Sequence, residues 1–225
     1  TSSVISIGSS AFEGCSSLNE ILIPSSITSI EKNTFLGVLS ITIKGSTQHI
    51  PNDAFKNCNS LNSIYFNTDN LISIGESAFE GCSSLTELSF PNTIQTIQNL
   101  IFKGCSKLRR IIIPSSLTSL EKSTFENCSS LAEITISSTI QTIEENAFQG
   151  VKSLTINGDI QCIPSNSFKN CTSINRITLN TNELSTIGPS AFEGCTYLRE
   201  ITIPPSVSKI ENNAFQGVRY LAISG

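Results

Sequence analysis

The chain has 225 residues, of which 38% are hydrophobic and 14% charged, and a formal net charge of −4. A disordered segment would have fewer large aliphatic residues and more net charge, and a nucleic-acid binder would show a basic footprint, so both classes are excluded. No apolar run reaches the ~20 residues that span a bilayer, which excludes direct membrane insertion. The chain opens at Thr1 without a positively charged start and apolar stretch, and it contains no Met. It is therefore expected to be a piece of a longer chain, with any targeting signal outside it.

The first apolar residues, Val4 and Ile7, lead into a unit that repeats to the end of the sequence. Its first full copy reads Phe12-Glu13-Gly14-Cys15-Ser16-Ser17-Leu18-Asn19-Glu20-Ile21-Leu22-Ile23-Pro24. The same Phe recurs at Phe35, Phe55, Phe79, Phe102, Phe125, Phe148, Phe168, Phe192 and Phe215, which makes ten copies. Adding 113 to each of the first five positions gives the last five, so the chain is two blocks of five repeats. A spacing of 20–24 residues falls in the leucine-rich repeat range, where each unit buries its apolar face only by stacking on its neighbours. The expected fold is one solenoid over residues 1–225, mostly β, with ten stacked coils and a concave parallel sheet.

Within a unit, Leu-x-x-Ile-x-Ile (Leu18–Ile23, Leu85–Phe90, Leu108–Ile113, Leu131–Ile136, Leu198–Ile203) alternates as a half-buried strand does. Pro24, Pro91, Pro114 and Pro204 mark its end, because Pro lacks the N–H a ladder needs. The following apolar pair, Ile27/Ile30 in the first unit, is assigned to the convex wall. The residues just before each Phe, such as Ser10-Ala11, are expected to form a short turn or 3₁₀ segment. Two residues after each Phe stands Gly or Asn, the types that tolerate positive φ, so a left-handed corner is expected there. Asn127-Cys128-Ser129 and Asn170-Cys171-Thr172 match the glycosylation acceptor pattern, but the corner alone accounts for the Asn. In the units with Val38, Val151 and Val218, Val is read at the Leu position with a Cys-Ser-Ser triplet deleted. With Val4 and Ile7 at convex positions and no polar capping repeat, the open ends favour end-to-end association.

Seven of the eight Cys stand three residues after Phe: Cys15, Cys58, Cys82, Cys105, Cys128, Cys171 and Cys195. One place per coil suits a buried column of free thiols better than a disulfide framework or a tetrahedral zinc site. Cys162 falls at a polar convex position and is the candidate reactive surface thiol. His49, the single His, shares that column and has no base–nucleophile arrangement around it. Glu31, Glu121 and Glu144 recur on a solvated face. No catalytic, metal-binding or cofactor-binding residue is expected.

What remains is the outward-facing strand surface. Residues two and four after Leu should form two rows across the concave sheet. The first runs Glu20, Ser40, Ser63, Glu87, Arg110, Glu133, Ser153, Arg176, Glu200, Tyr220. The second holds Thr and Ser with Leu22, Tyr65 and Ile112 as its large members, ending at Ala222. Leu22, Tyr65, Glu87, Arg110, Ile112, Glu133 and Arg176 are the candidate partner-binding residues, with Glu87, Arg110 and Glu133 expected as cross-strand pairs.

The unit Ala78-Phe79-Glu80-Gly81-Cys82-Ser83-Ser84-Leu85, repeated as Ala191-Phe192-Glu193-Gly194-Cys195-Thr196-Tyr197-Leu198, resembles the BspA-like leucine-rich repeats, and the resemblance covers essentially the whole chain. It implies a non-enzymatic surface or secreted protein that attaches to host cells or to matrix glycoproteins such as fibronectin and fibrinogen. It carries over no catalytic residue. A passive spacer and an intracellular scaffold stand beside adhesion as open readings.

Overall fold

In the computed structural model, residues 3–24, 26–44, 47–219 and 221–224 are described. Twenty short strands follow one another along them. They are β1 (Ser6–Ile7), β2 (Glu20–Leu22), β3 (Ser29–Ile30), β4 (Ser40–Lys44), β5 (His49–Ile50), β6 (Ser63–Asn67), β7 (Ser73–Ile74), β8 (Glu87–Leu88), β9 (Thr96–Ile97) and β10 (Arg110–Ile112). The second half continues with β11 (Ser119–Leu120), β12 (Glu133–Thr135), β13 (Thr142–Ile143), β14 (Ser153–Asn157), β15 (Cys162–Ile163), β16 (Arg176–Asn180), β17 (Thr186–Ile187), β18 (Glu200–Thr202), β19 (Lys209–Ile210) and β20 (Ala222–Ser224). Every pairing is parallel and joins alternate strands, as in a β-solenoid. No helix occurs among the described residues, so none is long and apolar enough to cross a membrane.

The core is a set of columns. The ten Phe rings stack from Phe12 to Phe215 with centroids 4.9–5.7 Å apart, closest at the two 20-residue steps, Phe35–Phe55 and Phe148–Phe168. Burying one such ring contributes roughly 2–3 kcal/mol, and stacking adds to it. Beside the rings run the inward Leu and Ile of the strands and the thiols of Cys58, Cys82, Cys105, Cys128, Cys171 and Cys195, all buried. Each of Cys82, Cys105, Cys128 and Cys195 donates its S–H to a Phe carbonyl of the preceding coil, at 2.9–3.2 Å. The thiol thus fills a small apolar slot and also satisfies a buried acceptor.

The corner two residues after Phe has positive φ in all ten coils, with Gly at 74–87° and Asn57, Asn127 and Asn170 at 59–62°. An Asn corner is followed by a Gly corner in the next coil, because a Cβ on Gly81 would lie 2.3 Å from Asn57 Oδ1. A second left-handed corner stands two residues before every Phe, at Ser10, Asn33, Asp53, Ser77, Leu100, Ser123, Asn146, Asn166, Ser190 and Asn213. Of the two expected forms, a short turn or a 3₁₀ segment, the turn is present: the chain turns twice around each Phe, through single left-handed residues.

Two features break the regularity. At the Val coils the register slips by two residues. Glu20 pairs with Thr42, Glu133 with Thr155 and Glu200 with Ala222, rather than with Ser40, Ser153 and Tyr220. The N–H of Val38 bonds to Phe35 O at 3.1 Å, the turn bond that Cys58 makes to Phe55 O. Val38 thus makes the turn bond of a Cys while it keeps the Leu frame toward the following coil, where Ser40 stands beside Ser63 and Ile41 beside Ile64, so the slip falls on the side of the preceding coil alone.

The convex wall is interrupted between β3 and β5, β9 and β11, and β13 and β15. In six coils the residue after the convex strand donates its N–H to the coil before, as Glu31 does to Ile7 O and Gly188 to Ile163 O. At two of the three interruptions that residue is Pro51 or Pro164, which has no proton to give. The third interruption matches a concave one, between β8 and β10, so both walls part across one coil boundary.

Candidate functional site

The concave interruption is where the exposed apolar side chains gather. A cleft of about 400 Å³ lies there, lined by Ile64, Tyr65, Glu87, Leu88, Ser89, Arg110, Ile111 and Ile112. Strand alternation buries Ile64, Leu88 and Ile111 as its floor and turns the others outward. Tyr65 is 51% and Ile112 59% exposed. Tyr65 on β6 and Ile112 on β10 stand on either side of β8, with Ser89, the residue after β8, level with Tyr65. Glu87 and Arg110 line the same cleft in the neighbouring row, one charge of each sign.

One side chain beside the gap differs between the two blocks. Phe90 replaces the usual Ile at the end of its strand motif, and its ring packs at 59° on Phe102, with centroids 5.8 Å apart. The matching position in the second block is Ile203, and there β18 and β20 stay paired.

Four of the candidate residues, Tyr65, Glu87, Arg110 and Ile112, line this one cleft. Leu22 does not join them. The register slip sets it beside Lys44, and it lines an apolar cleft with Val4, Ile7, Phe12 and Ile21 instead. Glu133 is the register partner of Arg110, yet no ion pair links Arg110 to Glu133 or Glu87 among the described residues. The pair that forms on this face is Arg176–Glu200, at 2.7 Å. Tyr220 lies outside the described residues, as do the side chains of Glu20 and Ala222.

The regular ion pairs run elsewhere, along the residue after each Phe. Lys56–Glu80, Lys103–Glu126 and Lys169–Glu193 close at 3.0–3.1 Å. The hydrogen bond to Glu80 raises the pKa of Lys56. Burial opposes ionisation of Glu80, but hydrogen bonds from Ser77 and Lys56 outweigh it and hold the carboxyl below its usual range. Hydrogen bonds from Ser190 and Lys169 do the same for Glu193. Reading the column after Phe as the concave rows were read would have exposed this alternation.

Cys162 is exposed on the convex wall, in register with Thr186. Partial burial and the Glu211 carboxylate raise its pKa, away from a reactive thiolate. All eight Cys are free thiols, including Cys15, which is exposed. Burial pushes Cys58 and Cys195 up to about 12, and Cys82, Cys105, Cys128 and Cys171 are also raised. No group of three or more His, Cys, Asp or Glu among the described residues could hold a metal ion.

Comparison with known proteins agrees with this architecture. The family described as "BspA type leucine rich repeat region (6 copies)" matches residues 1–105, 48–157 and 104–222. Among solved structures, the pneumococcal vaccine antigen PcpA is 18% identical with a TM-score of 0.57, over 98% of this chain and 75% of that one. A leucine rich cell surface protein from Faecalibacterium prausnitzii is 23% identical with a TM-score of 0.42, over 99% and 77%. A leucine-rich repeat protein from Bacteroides ovatus is 23% identical with a TM-score of 0.45, over 95% and 80%. No curated protein matches the chain.

Proposed function

Since the chain belongs to the BspA-type leucine-rich repeat family, we propose that it is a non-enzymatic protein-binding module of a surface or secreted protein, and that it attaches to host cells or matrix glycoproteins through the cleft between β8 and β10. One observation carries this reading: Tyr65 and Ile112, both more than half exposed, line one cleft at the only interruption of the concave sheet among the described residues. Exposed aromatic and aliphatic anchors beside an opened strand edge are what an interface hot spot uses, with Glu87 and Arg110 setting orientation.

The test is solid-phase binding of the chain to immobilised fibronectin, fibrinogen and epithelial cells, against a Tyr65→Ala/Ile112→Ala variant that keeps its circular dichroism spectrum. Saturable binding lost in the variant is the expected result. Binding retained by the variant moves the contact to another surface, and no binding at all favours a passive spacer. The eight free thiols favour a second reading, an intracellular scaffold, because cysteines in oxidising compartments are usually bridged.

A further inference from the structure

Because the chain is a duplication, it supplies its own comparison: residue n in the first block and residue n + 113 in the second began as the same side chain. On the concave rim this comparison singles out a place where the changes add charge. A cleft of about 420 Å³ is lined by Ser173, Asn175, Arg176, Tyr197, Arg199 and Glu200. Three of these six are unchanged from the first block, where Ser60, Asn62 and Glu87 stand. The other three have changed in one direction. Ser63 has become Arg176, Ser84 has become Tyr197 and Thr86 has become Arg199. Three neutral hydroxyl residues have given way to two guanidinium groups and an aromatic ring around an otherwise conserved frame of Ser, Asn and Glu.

The geometry fits that substitution to a ligand. Tyr197 is 61% exposed. On its other side a second hollow of about 250 Å³ is lined by Thr196, Tyr197, Arg199 and Arg219, so the ring stands as a ridge between two cationic hollows. Arg176 is held by Glu200 at 2.7 Å, which fixes its position. Arg199 and Arg219 have no carboxylate within 4.0 Å among the described residues. The slipped register, with Glu200 beside Ala222, sets Arg219 at the level of Tyr197 rather than of Arg199, one coil further along the stack, about 4.8 Å away. The surface therefore offers two uncompensated forks around one hollow, an aromatic face, and amide and hydroxyl groups from Asn175 and Ser173.

We propose that this rim is a binding site for an anionic saccharide, of the sulfated polysaccharide class. Guanidinium forks match sulfate and carboxylate oxygens two at a time. An exposed tyrosine ring offers the flat apolar face on which the C–H side of a sugar ring packs, while its hydroxyl stays wet. An acidic peptide would use the charges and leave the ring idle. A single-stranded nucleic acid would use several aromatic platforms in succession, whereas the described residues of this rim include one. The site is separate from the Tyr65–Ile112 cleft and does not depend on it.

The test uses the chain and a fluorescein-labelled heparin dodecasaccharide, followed by fluorescence polarisation at low and physiological salt. The variant is Tyr197→Ser/Arg199→Thr, which restores the residues the first block carries in the same fold. Saturable binding is expected, weakened about tenfold or more in the variant, with the slope of log affinity against log salt reduced by about one. Tyr65→Ala/Ile112→Ala should bind the oligosaccharide as the parent does, which separates this site from the protein-binding one. Three results would overturn the proposal: no saturable binding, binding unchanged in the Tyr197→Ser/Arg199→Thr variant, or equal affinity for polyglutamate or oligouridylate of the same charge.

Discussion

Phe90 leans on Phe102 at 59°, the one ring contact in the column that is not parallel stacking. It sits at the boundary where both walls of the solenoid come apart. Ile203, its counterpart 113 residues later, leaves its coils joined. Replacing Phe90 with Ile should restore the missing ladders. The expected outcome is slower hydrogen exchange at the amides of residues 110–112 and 119–121, with stability within about 1.5 kcal/mol of the parent, because the site already accommodates Ile elsewhere. Weaker binding to the partner of the Tyr65–Ile112 cleft should follow.

Leu100 holds φ at 61° in a column otherwise made of Ser, Asn and Asp. A left-handed conformation costs an aliphatic residue about 1 kcal/mol more than Asn. Leu100→Asn should therefore stabilise the chain by about that amount. A urea midpoint that moves up with an unchanged m-value would show it, and a downward shift would mean that Leu100 contributes more by packing than it loses by strain.

The thiol column makes stability depend on alkaline pH. Cys58 and Cys195 titrate near 12 in the folded chain, against 9.0 when unperturbed, because burial disfavours the thiolate. A raised folded pKa means that the contribution is fully present below pH 9 and is lost as pH rises toward 12. In that window the unfolded chain gives up protons that the native chain retains. Each thiol contributes a slope of about 1.4 kcal/mol per pH unit. Cys58→Ser/Cys195→Ser should flatten the fall in urea midpoint between pH 9 and 10.5 while changing little at pH 7. Alkylation of the native parent at pH 8 should reach Cys15 and Cys162 and spare the six buried thiols.

Gln149 interrupts the charge column that includes Glu126 and Lys169, and its Oε1 is buried without a hydrogen-bond partner. The first block has Leu36 in the same place. A buried polar atom left unpaired costs about 1–3 kcal/mol, so Gln149→Leu should raise stability by about 1 kcal/mol. Thermal unfolding of the two chains side by side is sufficient to check it.

The Phe spacing and the Gly or Asn at one corner gave away the solenoid, because a single steric demand repeated ten times leaves a single residue type behind. The same logic found the buried thiols, and strand alternation placed Tyr65, Glu87, Arg110 and Ile112 together. The second corner, two residues before Phe, stayed hidden because Ser, Asn, Asp and Leu all occupy it, so no one residue type marks the bend. The slip at Val38, Val151 and Val218 stayed hidden because the apolar pattern matches equally well two residues along the strand. That slip is why Leu22 and Tyr65, one row by counting, stand in different columns. Tyr197 was visible only as a member of a repeat. Its meaning comes from setting it against Ser84.

Pro51 and Pro164 do more than end two ladders. Together with the parting at β9 and β11, they divide the convex wall into four short sheets, while the concave wall has only two. The rings behind them stack without a break from Phe12 to Phe215. A rod built this way is stiff along its spine and jointed along its back. Bending that spreads the convex side opens seams that hold no strand ladder among the described residues and are bridged by side-chain hydrogen bonds such as Thr47 to Ile23 O. Curvature that changes at these seams would leave the ladders within each short sheet intact.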